Sequence, residues 1–159
     1  YQRRADLIPN LVATVKGYAS HESSVLEAVT ASRSQVGSMR ITPDILNNPA
    51  EFQKFQQAQA GLTSALSRLM VVVEQYPDLK ANQNFLELQR ELSDIEEKIA
   101  YARQFYNTNV LSYNAKTETF PSVIMANMFG FQPAEFFEAE EGAREDVKVS
   151  FTTPPAANP

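Results

Sequence analysis

The chain has 159 residues, with 14 Lys and Arg against 19 Asp and Glu, for a formal net charge of −5. That is the length of one domain able to bury a sizeable core, and the acidic balance argues against a nucleic-acid partner, which calls for a basic face. The absence of Cys and the single His, His21, exclude disulfides, thiolate zinc sites, Cys nucleophiles and multi-histidine metal centres, and none of the 5 Gly falls in a GxGxxG or GxxxxGK[ST] phosphate loop.

The first periodic segment covers roughly 1 to 38. Ile8, Leu11, Val15, Tyr18, Val25, Val29 and Val36 keep a 3,4 spacing, with Glu22 as the one polar step and Ala5, Val12, Ala19 and Leu26 flanking. This predicts one long helix with a single apolar band. Pro9 lies inside it; lacking an N–H and crowding the preceding turn, it predicts a kink near Leu7 to Pro9, with a fresh helix start near Asp6 as the alternative.

Thr42-Pro43-Asp44 and Asn47-Asn48 read as a loop. Asn48 as cap, Pro49 at the first helical position and Glu51 at the capping-box position then start a second helix, running to about Tyr76. Its stripe is Phe52, Phe55, Leu62, Leu66, Leu69, Val73 and Tyr76, interrupted at Gln59. Pro77 turns the chain at 76 to 81. Asn82 caps a third helix carrying Phe85, Leu88, Leu92, Ile95, Ile99, Ala102 and Tyr106, which ends before Phe120-Pro121. Pro121 to Phe131 is dense in Met and Phe and predicts a short amphipathic helix. Residues 135 to 145 are acidic, and Val147 to Phe151 alternates like a short strand or extended tail.

The expected fold is all-α: an antiparallel up-down-up bundle of three long helices plus a short fourth helix, with an extended C-terminal tail. One domain spans 1–151, and the Pro/Ala-rich 152–159 is expected to be disordered. No apolar run reaches the ~18 to 20 residues that cross a bilayer. Because a helical pattern is already running at Tyr1 and no Met opens it, a segment upstream is expected.

Several phrases carry a family likeness. Arg3-Arg4-Ala5-Asp6-Leu7-Ile8-Pro9-Asn10-Leu11-Val12 with Val15-Lys16-Gly17-Tyr18-Ala19, then Tyr76 to Asn82 with Phe85-Leu86, then Glu96, Ile99-Ala100, Arg103 and Tyr106-Asn107, resemble three signatures of the LemA family in order. Phe120-Pro121-Ser122, Phe129-Gly130-Phe131 and Val149-Ser150-Phe151 fit as well. The chain departs from the pattern at Ser93-Asp94-Ile95 and Glu97. The resemblance implies a bacterial, single-pass membrane-anchored helical bundle preceded by a transmembrane helix, with a poorly defined molecular function and no catalytic residues to carry over.

Glu22, Glu96, Arg103, Asn107 and Asn114 lie on or beside apolar stripes, and buried charges must be paired. With the first and third helices set parallel, Ile8 level with Gln83, they predict a buried polar layer in which Glu22 or Glu96 meets Arg103; its plain role is register specification. Tyr106-Asn107 and Tyr113-Asn114 repeat at seven residues, as core tyrosines beside cross-bonding Asn or as a recognition stripe. Met125, Met128, Phe129 and Phe131 are a partner surface or a bundle cap, placed by the up-down-up geometry roughly 50 Å from the end where the chain enters. Arg3, Arg4 and Lys80 are membrane-proximal candidates or plain solvated charge. No catalytic, metal or cofactor site is expected. The functional expectation is a non-enzymatic membrane-anchored scaffold or interaction module, with homo-oligomers and an unidentified protein as partners. Membrane remodelling or tethering is the alternative, and a hydrolase or metal-dependent enzyme a weaker one.

Overall fold

Among the described residues, capping chemistry and prolines set six helices: α1 (Gln2–Lys16), α2 (Ser23–Gly37), α3 (Pro49–Val73), α4 (Pro77–Lys80), α5 (Gln83–Glu118) and α6 (Ser122–Phe129). The computed structural model describes residues 1–39, 42, 45–46 and 48–138, and among these there is no strand. The acidic run beyond 138, the alternating 147–151 and the 152–159 tail lie outside the described residues, as does most of the 40–47 loop.

Local signals set the helix starts. The Asn48 side chain accepts from the Glu51 N–H and that of Asn82 from the Phe85 N–H, at 3.3 and 3.0 Å. Pro49 and Pro77 occupy first-turn positions, where a missing N–H costs nothing. Gly130 ends α6 in the left-handed region at φ 72°, which a residue without Cβ adopts freely; the Phe131 N–H then bonds back to the Ala126 carbonyl.

The first long helix is two helices. α1 closes at Gly17, the chain turns through Tyr18 to Glu22, and α2 runs back along α1. Arg33 Nε donates to the Ala5 carbonyl at 3.2 Å; in one straight helix these residues stand about 42 Å apart. The apolar spacing persists through the turn because both arms of the hairpin face one core, and Glu22, the polar step, marks the break. Pro9 stays inside α1. It has no N–H for the Ala5 carbonyl four residues back, and Arg33 supplies that missing bond from α2.

The hairpin changes the topology from three arms to four. Tyr76 Oη donates to Glu22 Oε1 at 3.3 Å, so the start of α2 lies beside the end of α3. Arg4 meets Glu96 and Tyr18 meets Asn82, so α5 runs antiparallel to α1, and not parallel as the sequence predicts. Fourteen residues separate the contacts on each helix, about 21 Å of rise on both. The result is an up-down-up-down bundle of α1, α2, α3 and α5.

Its core joins Ile8, Leu11 and Val15 to Leu26, Val29 and Val36, to Leu62, Leu66, Leu69 and Val73, and to Leu79, Phe85 and Leu92. Tyr18 and Ala102, expected on the stripes, are exposed: Tyr18 lies in the turn, and Ala102 lies where α5 begins to outrun α1. α5 continues 15 residues past Arg103, about 22 Å. α6 follows, and residues 131–138 return along α5 toward Tyr1. The Met/Phe segment is therefore at the same end of the bundle as Tyr1, not at the opposite end, because the hairpin reverses the direction in which α5 leaves.

Candidate functional site

Two polar constructions sit at this end. The first is centred on Arg4, which is 1% exposed. Its Nη1 donates to Thr63 Oγ1 at 2.9 Å and to Glu96 Oε1 at 2.8 Å. Its Nη2 donates to the Gln59 carbonyl at 3.2 Å and to Gln59 Oε1. Gln59 is itself fully buried. The guanidinium also lies 5.6 Å from the Tyr1 ring. Arg4 thus ties α1 to α3 and α5, and Glu96 keeps part of its surface in water, so the pair avoids the full cost of desolvating both ions. Arg4 Nε and Gln59 Nε2 have no hydrogen-bond partner among the described residues.

The second construction is a groove between α3 and α5 holding the extended segment 131–138. Asn107 Nδ2 donates to the Phe137 carbonyl at 3.0 Å, and its Oδ1 accepts from the Phe137 N–H at 2.8 Å. Asn114 treats Ala134 in the same way, at 3.0 and 2.8 Å. Tyr106 and Tyr113 hydroxyls donate to the Glu135 and Gln132 carbonyls, both at 2.9 Å. From α3, Gln56 Oε1 accepts from the Glu138 N–H at 2.7 Å, and its Nε2 reaches the Phe136 carbonyl at 3.5 Å.

Phe137 anchors the segment. Its ring lies 4.9 Å from Phe52, 5.1 Å from Tyr106, 6.4 Å from Tyr1 and 6.5 Å from Phe55. Arg103 lies over both the Tyr1 and Phe137 rings, and its Nε donates to the Tyr1 hydroxyl. Burial raises the Tyr1 phenol above its ordinary value, against the opposing hydrogen bond from Arg103. Burial, with Glu135 adding like-charge repulsion, raises the Tyr106 phenol. Beside the segment an open groove of about 500 Å³ is lined by Arg103, Gln104, Asn107, Leu111 and Phe136.

Arg4, Glu96, Arg103, Tyr106 and Asn107 fall within the sequence phrases that carry the family likeness, and the LemA family model matches residues 1–151. The chain belongs to the LemA family. Among its relatives, Magnetosome protein MamQ 2 of Paramagnetospirillum magneticum is 29% identical over 157 residues, covering 86% of this chain and 56% of that protein. Magnetosome protein MamQ of Magnetospirillum gryphiswaldense is 28% identical over 152 residues with the same coverage. Protein LemA of Metamycoplasma hominis is 30% identical over 149 residues, covering 94% of this chain and 64% of that protein. The chain thus spans little more than half the length of the curated relatives it matches.

On this LemA-family bundle the predicted polar residues divide. Glu96 joins the Arg4 layer, Arg103 packs on Tyr1 and Phe137, and Asn107 and Asn114 hold the returning segment. Glu22 is at the other end beside Tyr76, so the expected Glu22–Arg103 proximity does not occur; the hairpin carries Glu22 away. Arg4 is a core cation and not a surface group facing headgroups. Arg3 is exposed at the Tyr1 end, whereas Lys80 is exposed at the opposite end and pairs with Glu74. Met125, Met128, Phe129 and Phe131 are 50 to 64% exposed. Sequence reasoning missed Gln59 and Gln56 as site residues. Gln59 had a signal: it is the one polar interruption in the α3 stripe. Among the described residues, no three His, Cys, Asp or Glu side chains converge to hold a metal, and no helix is long and apolar enough to cross a membrane.

Proposed function

We propose that this LemA-family chain is a non-enzymatic scaffold or protein-interaction module, held at a bacterial membrane by a single-pass anchor, that presents α6 as its contact surface. The carrying observation is α6 itself. Ile124, Met125, Met128 and Phe129 are 50 to 64% exposed at an extremity of the bundle, with Phe120 at 76% and Phe131 at 56% beside them. Residues 119 to 134 contain no charged side chain. Exposed apolar side chains gathered on one short helix mark a contact site, and methionines adapt their shape to a partner. The absence of Lys and Arg there weighs against recognition of anionic lipid.

The membrane anchor rests on the family resemblance. The second reading, membrane tethering or remodelling by oligomers, is favoured by the placement of α6 and Arg3 at one end of the bundle. The test is in-cell photocrosslinking of the full-length protein with photoreactive residues at Met128 and at Arg3, read by mass spectrometry. A protein partner recurring at Met128 and lost when Phe129→Ser is added supports the interaction module. Lipid adducts at Met128 support remodelling, and crosslinks at Met128 no more frequent than at an exposed control such as Glu87 refute the α6 surface.

A further inference from the structure

The groove between α3 and α5 holds the chain's own segment 132–138 by its main chain. Asn107 and Asn114 are seven residues apart on a helix, about 10.5 Å of rise. Phe137 and Ala134 are three residues apart in extended chain, about 10 Å. Each Asn amide therefore meets both backbone groups of one segment residue, and the Tyr106 and Tyr113 hydroxyls repeat the same seven-to-three match on the carbonyls of Glu135 and Gln132. Gln56 bonds Phe136 and Glu138 on the opposite edge. Gln132, Ala134, Glu135 and Phe137 are held from α5 and Phe136 and Glu138 from α3, so that side chains take the place of ladder partners along both edges of the segment. All of these bonds go to main-chain atoms. Phe137 is the segment side chain packed among aromatic rings.

We propose that this site also takes residues 132–138 of a second copy of the chain, each copy giving its segment to the other. None of the groove contacts depends on the segment belonging to the same chain. An exchange replaces each contact by its identical counterpart, which makes segment swapping a low-cost route to a dimer. The connection is suited to it: only Gly130, at φ 72°, and Phe131 stand between α6 and the first gripped residue, Gln132. That short link forces two exchanged copies to bring their α6 helices together, so the exposed Ile124, Met128 and Phe129 of each gain an apolar face to bury against. This places a second copy ahead of an unrelated extended peptide, which would leave α6 uncovered. The exchange covers the same α6 face that the proposed function offers to a partner, and the 104-to-136 link reads the exchange alone, whatever α6 meets.

The chain has no Cys, so single thiols report unambiguously. Full chains carrying Gln104→Cys and full chains carrying Phe136→Cys, both at the groove, are mixed and treated with a short bismaleimide, and the linked peptides are identified. The expected result is a covalent heterodimer joining 104 to 136, rising with concentration. It falls about tenfold or more when the Gln104→Cys copy also carries Asn107→Ala and Asn114→Ala, with helicity checked by circular dichroism. Gln56→Ala, on the other helix, tests the groove from its opposite edge should the double Asn variant lose its fold. If only the internal link forms, in a chain carrying both thiols and up to the solubility limit, the proposal is overturned. It is also overturned if the heterodimer ignores both sets of substitutions, or if a free peptide of sequence 131–138 is captured while a second copy is not.

Discussion

Replacing Arg4 by Met tests whether the buried layer is a network or a set of separate contacts. The substitution keeps most of the side-chain stem and removes the guanidinium. Glu96 returns to water at little cost, since its side chain is 37% exposed. The Gln59 carbonyl still accepts from Thr63 Oγ1 at 3.1 Å. Gln59 itself is the loss: a fully buried amide whose Oε1 then has no donor, at about 1 to 3 kcal/mol, with about 1 kcal/mol more for imperfect filling of the vacated space. Arg4→Met is therefore expected to cost about 2 to 4 kcal/mol, and Gln59→Leu alone about 1.5 to 3 kcal/mol by removing a charge-assisted bond. The double variant carries neither orphan. Since Arg4 Nε and Gln59 Nε2 already lack partners, it is expected to match or exceed the parent, as apolar replacements of buried ionic groups often do. Urea unfolding followed by circular dichroism gives the four corners of the cycle. An Arg4→Met loss below about 0.5 kcal/mol, or a double variant as unstable as the summed singles, refutes the network.

Arg33→Ala should cost about 1 to 2 kcal/mol in the parent by stranding the Ala5 carbonyl, and markedly less in a Pro9→Ala background, where the residue 9 N–H retakes it; equal losses in both backgrounds would break the link between the two residues. Hydrogen exchange should find the Ala134 and Phe137 N–H groups protected, with Asn107→Ala speeding Phe137 well before Ala134 if the two grips act separately. Phe137→Ala should cost about 1 to 3 kcal/mol and expose both N–H groups, and unchanged protection would show that the ring is not the anchor. The raised Tyr1 and Tyr106 phenols favour the protonated form in the folded chain. Their stabilisation is complete below pH 10.0, the ordinary phenol value, and is lost as pH rises through the higher folded values. Urea midpoints at pH 8 and pH 11 should fall less for Tyr106→Phe than for the parent, and parallel losses would discount Tyr106.

Much of the helical layout was legible because it is local. Asn48 with Pro49, Asn82 and Pro77 act within one turn, and the 3,4 stripes of α3 and α5 mark their buried faces directly. The hairpin was not legible because periodicity reports which face is buried and not which way the chain runs; a stripe that folds back on itself keeps its spacing. Arg4 stands beside an exposed Arg3, and its burial depends on Glu96, 92 residues away, and on Gln59, which read as a flaw in a stripe. Asn107 and Asn114 were visible as polar groups beside the core. Their ligand was not, since residues 131–138 have no period, and a segment held by its backbone leaves little trace in side-chain pattern.

Pro9 acts on a helix other than its own. By deleting one donor it leaves the Ala5 carbonyl without its ordinary partner four residues on, and Arg33 meets it only when α2 has turned back. A straight rod over 1 to 38 has more continuous helix than the hairpin, yet it leaves that oxygen bare and Arg33 far away. The proline thus works as a selector between two tertiary shapes of the same apolar pattern, taxing the extended one at a single atom.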